Sequence, residues 1–285
     1  MKTKSAVIAL AGLLTAFAGP VASAQDIGAR LDAAIAGEHR SAKDRARDVY
    51  RHPKETLLFM GLEPDLTVVE IWPGGGWYSD ILAPVLKPNG IYYAASFASS
   101  ADKSQQWRID AHKRYMKKLE ASPDAFDHVV VTELSVPERT TIAPPGSVDM
   151  VLTFRNVHNW MKGEYAEEMF AVFDRMIKPG GVLGIVEHRA KPGTSIDAMK
   201  QSGYVTEEHV IALAEAAGFV LEARSDINAN PGDTADHPAG VWTLPPSLRH
   251  CRGMDDGAAK DSCVNVYTDI GESDRMTLRF RKPAG

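Results

Sequence analysis

The stretch Leu66-Thr67-Val68-Val69-Glu70-Ile71, followed at once by Trp72-Pro73-Gly74-Gly75-Gly76, decides the fold. Its first half is short, apolar and β-branched, which suits a strand buried on both faces. The proline and three glycines then force a turn, and Ser79 to Leu86 resumes with helical spacing. A glycine-rich turn between the first strand of an α/β sheet and its helix lets a ligand approach the backbone closely, at the point where the strand order reverses. Taken alone such a turn is common, and its value comes from this placement.

Downstream, the same alternation repeats. Lys87-Pro88-Asn89-Gly90 ends the first helix, and Ile91-Tyr92-Tyr93-Ala94-Ala95 reads as a second strand. A polar helix from about Lys103 to Leu119 precedes a third strand at His128 to Thr132, and Ser147 to Thr153 supplies a fourth. Tyr165, Met169, Val172, Phe173, Met176 and Ile177 recur on one helical face. Lys178-Pro179-Gly180-Gly181 stops that helix before a fifth strand, Val182 to Val186. Thr206 is placed to cap a helix carrying Val210, Ile211, Leu213 and Ala214. Gly218 ends it, Phe219 to Ala223 begins a sixth strand, and Met276 to Arg281 makes the last. Strands alternating with helices predict a Rossmann-like α/β domain: a seven-stranded, mostly parallel sheet with helices on both faces. No helical crossover separates the final two strands, so the last is expected antiparallel. The polar excursion at about 226–274 reads as an insertion.

Upstream, residues 27–60 read as helical, anchored by Leu31, Ile35, Leu57, Leu58 and Met60, with a break at Pro53. This predicts an N-terminal helical cap over 25–60 on a domain spanning 61–285. Lys2 and Lys4, the apolar run Ala6 to Gly19, Pro20 and Ala22-Ser23-Ala24 have the pattern of a signal peptide cleaved before Gln25. That run is shorter than the roughly 20 residues needed to span a bilayer. The expectation is therefore export, to a bacterial periplasm, with no integral membrane segment in the mature chain. Losing Lys2 and Lys4 would move the formal net charge from -5 to -7. An acidic chain is poorly suited to holding nucleic acid by counterion release, which leaves small molecules as the expected partners. The two cysteines, Cys251 and Cys263, suit a loop-closing disulfide in an oxidising compartment; two free thiols are the alternative, and zinc would require further ligands.

The sequence resembles the class I S-adenosylmethionine-dependent methyltransferases. Glu70 stands where that family closes its first strand with an acid, and Gly74 and Gly76 match the last two glycines of its first motif. Ile177-Lys178-Pro179-Gly180-Gly181-Val182-Leu183 resembles the segment leading into strand five. Tyr204-Val205-Thr206-Glu207 through Ala216-Ala217-Gly218-Phe219 resembles the late helix and following strand. Three segments, Arg51-His52-Pro53-Lys54-Glu55-Thr56, Pro73-Gly74-Gly75-Gly76-Trp77-Tyr78 and Phe154-Arg155-Asn156-Val157-His158-Asn159-Trp160, resemble a bacterial group of predicted, often exported, methyltransferases. The resemblance implies S-adenosylmethionine as cofactor, with Glu70, Pro73, Gly74, Gly75, Gly76, Tyr78, Ser96 and Glu133 as its binding positions. Two departures stand out. Trp72 replaces the first motif glycine, and Ser96 stands where an acid usually holds the ribose hydroxyls.

Methyl transfer from a sulfonium is an in-line displacement, so positioning carries much of the catalysis and a base is needed only when the nucleophile must lose a proton. Arg155, Asn156 and His158 follow strand four and are the candidate catalytic residues. His158 is the candidate base; alternatively it bonds a loop carbonyl and orients the segment. His188 is a weaker candidate beside Glu187, and Arg155 would either bind an acidic substrate group or pair with Glu187. Trp77 and Tyr78 would wall the pocket or simply pack. A non-catalytic binding protein on the same scaffold, or an enzyme using the cleft for another ligand such as a different nucleotide, are the competing readings. A nicotinamide oxidoreductase fits less well, because the glycine spacing departs from Gly-x-Gly-x-x-Gly.

Overall fold

A computed structural model describes residues 24–87, 89–99 and 105–285. The expected signal peptide lies almost wholly outside the described residues. The chain runs α1 (Ala24–Ala36), α2 (Ala42–Arg45), α3 (Asp48–Arg51), α4 (Pro53–Met60), β1 (Thr67–Ile71), α5 (Ser79–Leu86), β2 (Ile91–Phe97), α6 (Gln106–Ala121), α7 (Pro123–Phe126) and β3 (Val130–Leu134). It continues through β4 (Val148–Phe154), α8 (Val157–Lys162), α9 (Ala166–Met176), β5 (Ile177–His188), α10 (Ile196–Ser202), α11 (Glu207–Ala216) and β6 (Val220–Ser225). A 3₁₀ turn (Gly240–Thr243), α12 (Arg249–Arg252), α13 (Ala258–Ile270) and β7 (Arg275–Arg281) complete it.

One seven-stranded sheet has the order β3-β2-β1-β4-β5-β7-β6. β1 to β5 pair in parallel, and β7 runs antiparallel between β5 and β6. Strand order reverses between β1 and β4, which is where a crevice opens in sheets of this kind. Val68, Val69 and Ile71 are buried, as a central strand covered on both faces requires.

Each face carries its own core. On one, α9 sets Met169, Phe170, Val172, Phe173 and Met176 against β4 and β5. Burying each phenylalanine contributes on the order of 2 kcal/mol. Ile177, expected on that helix, is already extended and opens β5. On the other face, Ile27 and Leu31 of α1 join Leu57, Leu82 and Leu86. Thr206 caps α11 as its position predicts, its Oγ1 accepting from His209 N at 3.2 Å.

Residues 27–60 are four helices rather than one. His52, with φ +37°, turns the chain between α3 and α4, and Pro53 takes the first position of α4, where its missing N–H costs nothing. The excursion between β6 and β7 is partly helical and is clasped by a disulfide between Cys251 and Cys263. It returns over the carboxyl ends of the strands and contributes to the site.

Candidate functional site

The carboxyl end of β1 starts the site. Glu70 is buried; its Oε2 accepts from Ser79 Oγ at 2.8 Å and from the Tyr92 hydroxyl. Burial pushes its carboxyl up to about 7, against those two hydrogen bonds, which favour the ionised form. Trp72 follows with φ +48°, a left-handed conformation that a bulky side chain rarely adopts. Its indole is locked by packing on Phe97, with ring centroids 4.8 Å apart, and by Nε1 donating to Leu134 O at 3.2 Å. Gly74 has φ +60°, and a Cβ there would come no closer than 4.0 Å to Trp72 O; a Cβ on Gly75 would meet nothing within 4 Å. The turn therefore leaves an open cradle. Gly76 is small for a different reason, since a Cβ would press on Tyr115 at 3.1 Å and Lys118 at 3.2 Å.

Across the crevice, Arg155 leaves β4 at φ +62°, so both strands at the reversal end in a left-handed non-glycine residue. Such outliers gather at sites where the surroundings over-determine the backbone. Asn156 Nδ2 donates to Ile71 O at 2.9 Å and Thr153 Oγ1 at 3.2 Å, which fastens the end of β4 to the end of β1. Asn156 is thus a positioning residue.

His158, in the first turn of α8, places Nδ1 3.1 Å from Glu187 Oε1. Glu187 is fully buried at the end of β5, where Oε1 also accepts from His188 N at 2.8 Å and Oε2 accepts from His158 N at 3.3 Å. With Glu187 ionised, this pairing assigns the proton to Nδ1 and leaves Nε2 with its lone pair. Arg155 does not pair with Glu187. Burial pushes the His188 imidazole well below its ordinary range, and the cationic Arg155, Arg275 and Arg51 push it the same way. His158, Glu187 and His188 bring three potential ligand atoms within 4.8 Å of one another. The neighbouring guanidinium charges oppose a divalent cation there, and Glu187 already accepts three N–H groups.

A group of arginines forms the opposite wall. Glu272 accepts from Arg47 Nε at 2.5 Å, Arg51 Nε at 3.0 Å and Arg275 Nη2. Burial alone would raise the Glu272 carboxyl, but Arg275, Arg51, Arg155 and Arg47 together hold it down at about 2. Burial lowers Arg51 to about 9, helped by the charges of Arg155 and Arg47, and lowers Arg155 to about 10, helped by those of Arg275 and Arg47. Tyr78 stacks on Phe154 at 3.5 Å below this group, and burial pushes its hydroxyl up to about 12.

Glu70, Pro73, Gly74, Gly75, Tyr78, Arg155, Asn156 and His158 all line one cavity of about 390 Å³. Three expected cofactor positions fall outside that lining. Gly76 packs on α6. Ser96 is buried and turned to His112 Nδ1 at 3.1 Å, and Glu133 is taken by Ser99 N at 3.0 Å and by Arg139. Ser96, at the strand-two position where the resemblance would place a ribose-binding acid, is therefore not among the described residues that line this cavity. Conversely, Arg47, Trp242, Glu272, Ser273 and Arg275 line it although only the fold brings them there. For S-adenosylmethionine the glycine cradle fits, while the Glu70 carboxyl is turned to Ser79 and Tyr92 and the edge occupied by Trp72 departs from the family pattern.

No protein-family model matches this chain, and no curated protein matches its sequence. Among solved structures, the fold is similar to a SAM-dependent methyltransferase from Aquifex aeolicus, at 17% identity over 64% of this chain and 87% of that one, TM-score 0.51. It is also similar to the [4+2]-cyclase SpnF, at 16% identity over 91% and 94%, TM-score 0.54. Geranyl diphosphate C-methyltransferase from Streptomyces coelicolor A3(2) matches at 13% identity over 88% and 87%, TM-score 0.50. These likenesses show the class I methyltransferase fold. They include a cyclase, so the reaction must be argued from the site.

Proposed function

We propose that the protein is an S-adenosylmethionine-dependent methyltransferase acting on a small molecule. One observation carries this reading: the open cradle at Gly74 and Gly75 and the His158–Glu187 pair share a single cavity at the strand-order reversal. Gly74 and Gly75 would hold the donor, whose sulfonium supplies an electrophilic methyl group. His158 Nε2 accepts the proton of an acceptor hydroxyl or amine, and Glu187 stabilises the resulting imidazolium. Asn156 keeps β1 and β4 in register so that both ends of the crevice stay aligned. The disulfide supports export to an oxidising compartment, and the periplasm is our proposed location.

A second reading, a non-catalytic binding protein, is favoured by Trp72 and Ser96, both buried and bonded to other parts of the protein. Methyl-labelled S-adenosylmethionine, incubated with the protein and a bacterial small-molecule extract, separates the two. Label transfer that is lost in His158→Gln supports the enzyme. Absence of transfer by the folded wild type favours the binding protein.

A further inference from the structure

The arginine wall is over-built for its one carboxylate. Arg47, Arg51, Arg155 and Arg275 surround Glu272, so four cationic groups face one anion. Arg51 and Arg275 are each 2% exposed, and a guanidinium withdrawn from water to that extent is costly unless paired; Arg275 is paired, donating to Tyr50 O at 3.2 Å and Ser273 Oγ at 3.4 Å as well as to Glu272. Yet Arg51 Nη2 has no hydrogen-bond partner, and among the described residues the Arg155 side chain makes no hydrogen bond at all. The other acids facing the cavity do not answer them. Asp44 accepts from Ser41 Oγ at 2.7 Å, and Glu70 is turned to Ser79 and Tyr92.

We propose that Arg51 and Arg155, backed by the charge of Arg275, form an oxyanion site, and that the substrate is a small molecule bearing a carboxylate or phosphate group. The planar guanidinium fork suits such a group, and charge-assisted bonds in a buried cavity are the strong kind. Seated there, the anionic end of the substrate lies in the same cavity as His158, which leaves its other end for the proton-accepting Nε2. The assignment to the acceptor rests on the methyltransferase reading; the oxyanion site itself does not.

Calorimetric titration of the purified protein with inorganic phosphate, at constant ionic strength, tests this. Wild type should bind with a stoichiometry near one, and Arg155→Gln should bind at least tenfold more weakly while keeping the ligand-free melting temperature. Arg155→Lys should recover part of the loss. Equal affinity in wild type and Arg155→Gln, or no binding by the wild type, overturns the site. Repeating the titration with saturating S-adenosylhomocysteine distinguishes two sources of the anion. Unchanged phosphate affinity supports an acidic acceptor; competition assigns the site to the donor's own carboxylate and overturns the acceptor. Phosphate binding with no S-adenosylhomocysteine binding keeps the site and sinks the methyltransferase reading instead.

Discussion

His158 and Glu187 meet across the carboxyl ends of β4 and β5, with Nδ1 and Oε1 3.1 Å apart and the carboxylate wholly buried. Replacing His158 by Gln removes the group that would take the acceptor's proton, and the rate of methyl transfer should fall by about 10² to 10⁴. Glu187→Gln should also lose activity, and it should destabilise the fold by about 1–3 kcal/mol by disturbing a buried acceptor of three N–H groups. Label transfer and urea denaturation measure the two effects. In addition, ¹⁵N NMR of wild-type His158 should show the proton on Nδ1; a proton on Nε2 would remove the base.

Glu272 holds three arginines, so Glu272→Gln leaves buried cations without compensation. A loss of about 3–5 kcal/mol in stability is expected from breaking such a group. Because its folded pKa is depressed to about 2, the wild-type contribution is present above the ordinary carboxylate value of 4.5 and is lost as pH falls through about 2. Denaturation of both proteins at pH 7 and pH 2.5 should show the gap closing at the lower pH.

Glu70 has the opposite sign. Its pKa is raised from 4.5 to about 7, so between these values the folded chain keeps a proton that the unfolded chain has released. The associated stability is present below pH 4.5 and is lost as pH rises through about 7, about 3 kcal/mol in all. The difference in unfolding free energy between wild type and Glu70→Gln should change by that order between pH 4.5 and pH 8. A constant difference contradicts the buried, proton-retaining carboxyl.

Gly75 offers a cleaner probe of the cradle than its neighbour. Valine at Gly74 would be strained by φ +60° whatever the space around it, whereas a Cβ on Gly75 meets nothing within 4 Å and that residue lies outside the left-handed region. Gly75→Val should therefore fold with a melting temperature within a few degrees of wild type and bind S-adenosylhomocysteine at least tenfold more weakly. Unchanged affinity would place the cofactor elsewhere.

Much of this architecture is legible in the sequence because its signals are local. The β-branched run of β1, the glycine turn, the apolar face of α9 and the Thr206 cap each declare themselves within a few residues. His158 is legible as a candidate base, but its partner Glu187 is not, since that contact depends on the register of β4 and β5. Arg275, Glu272 and Ser273 are hidden for the same reason: they close a polar excursion with no local pattern, and only the antiparallel β7 carries them over the crevice. Ser96 and Glu133 show the limit of chain position as a guide. Chain position puts them at strand ends, while the structure turns their side chains to His112 and Arg139.

On the proposed reading, the crevice between Gly75 and His158 takes the methyl donor. Calorimetric titration of the purified protein with S-adenosylmethionine and S-adenosylhomocysteine tests it most directly. One site with micromolar affinity, about -8 kcal/mol, is expected, and it should be lost in Gly75→Val. A folded sample that gives neither heat nor thermal stabilisation with either compound would contradict it, and would leave a binding protein built on a methyltransferase fold.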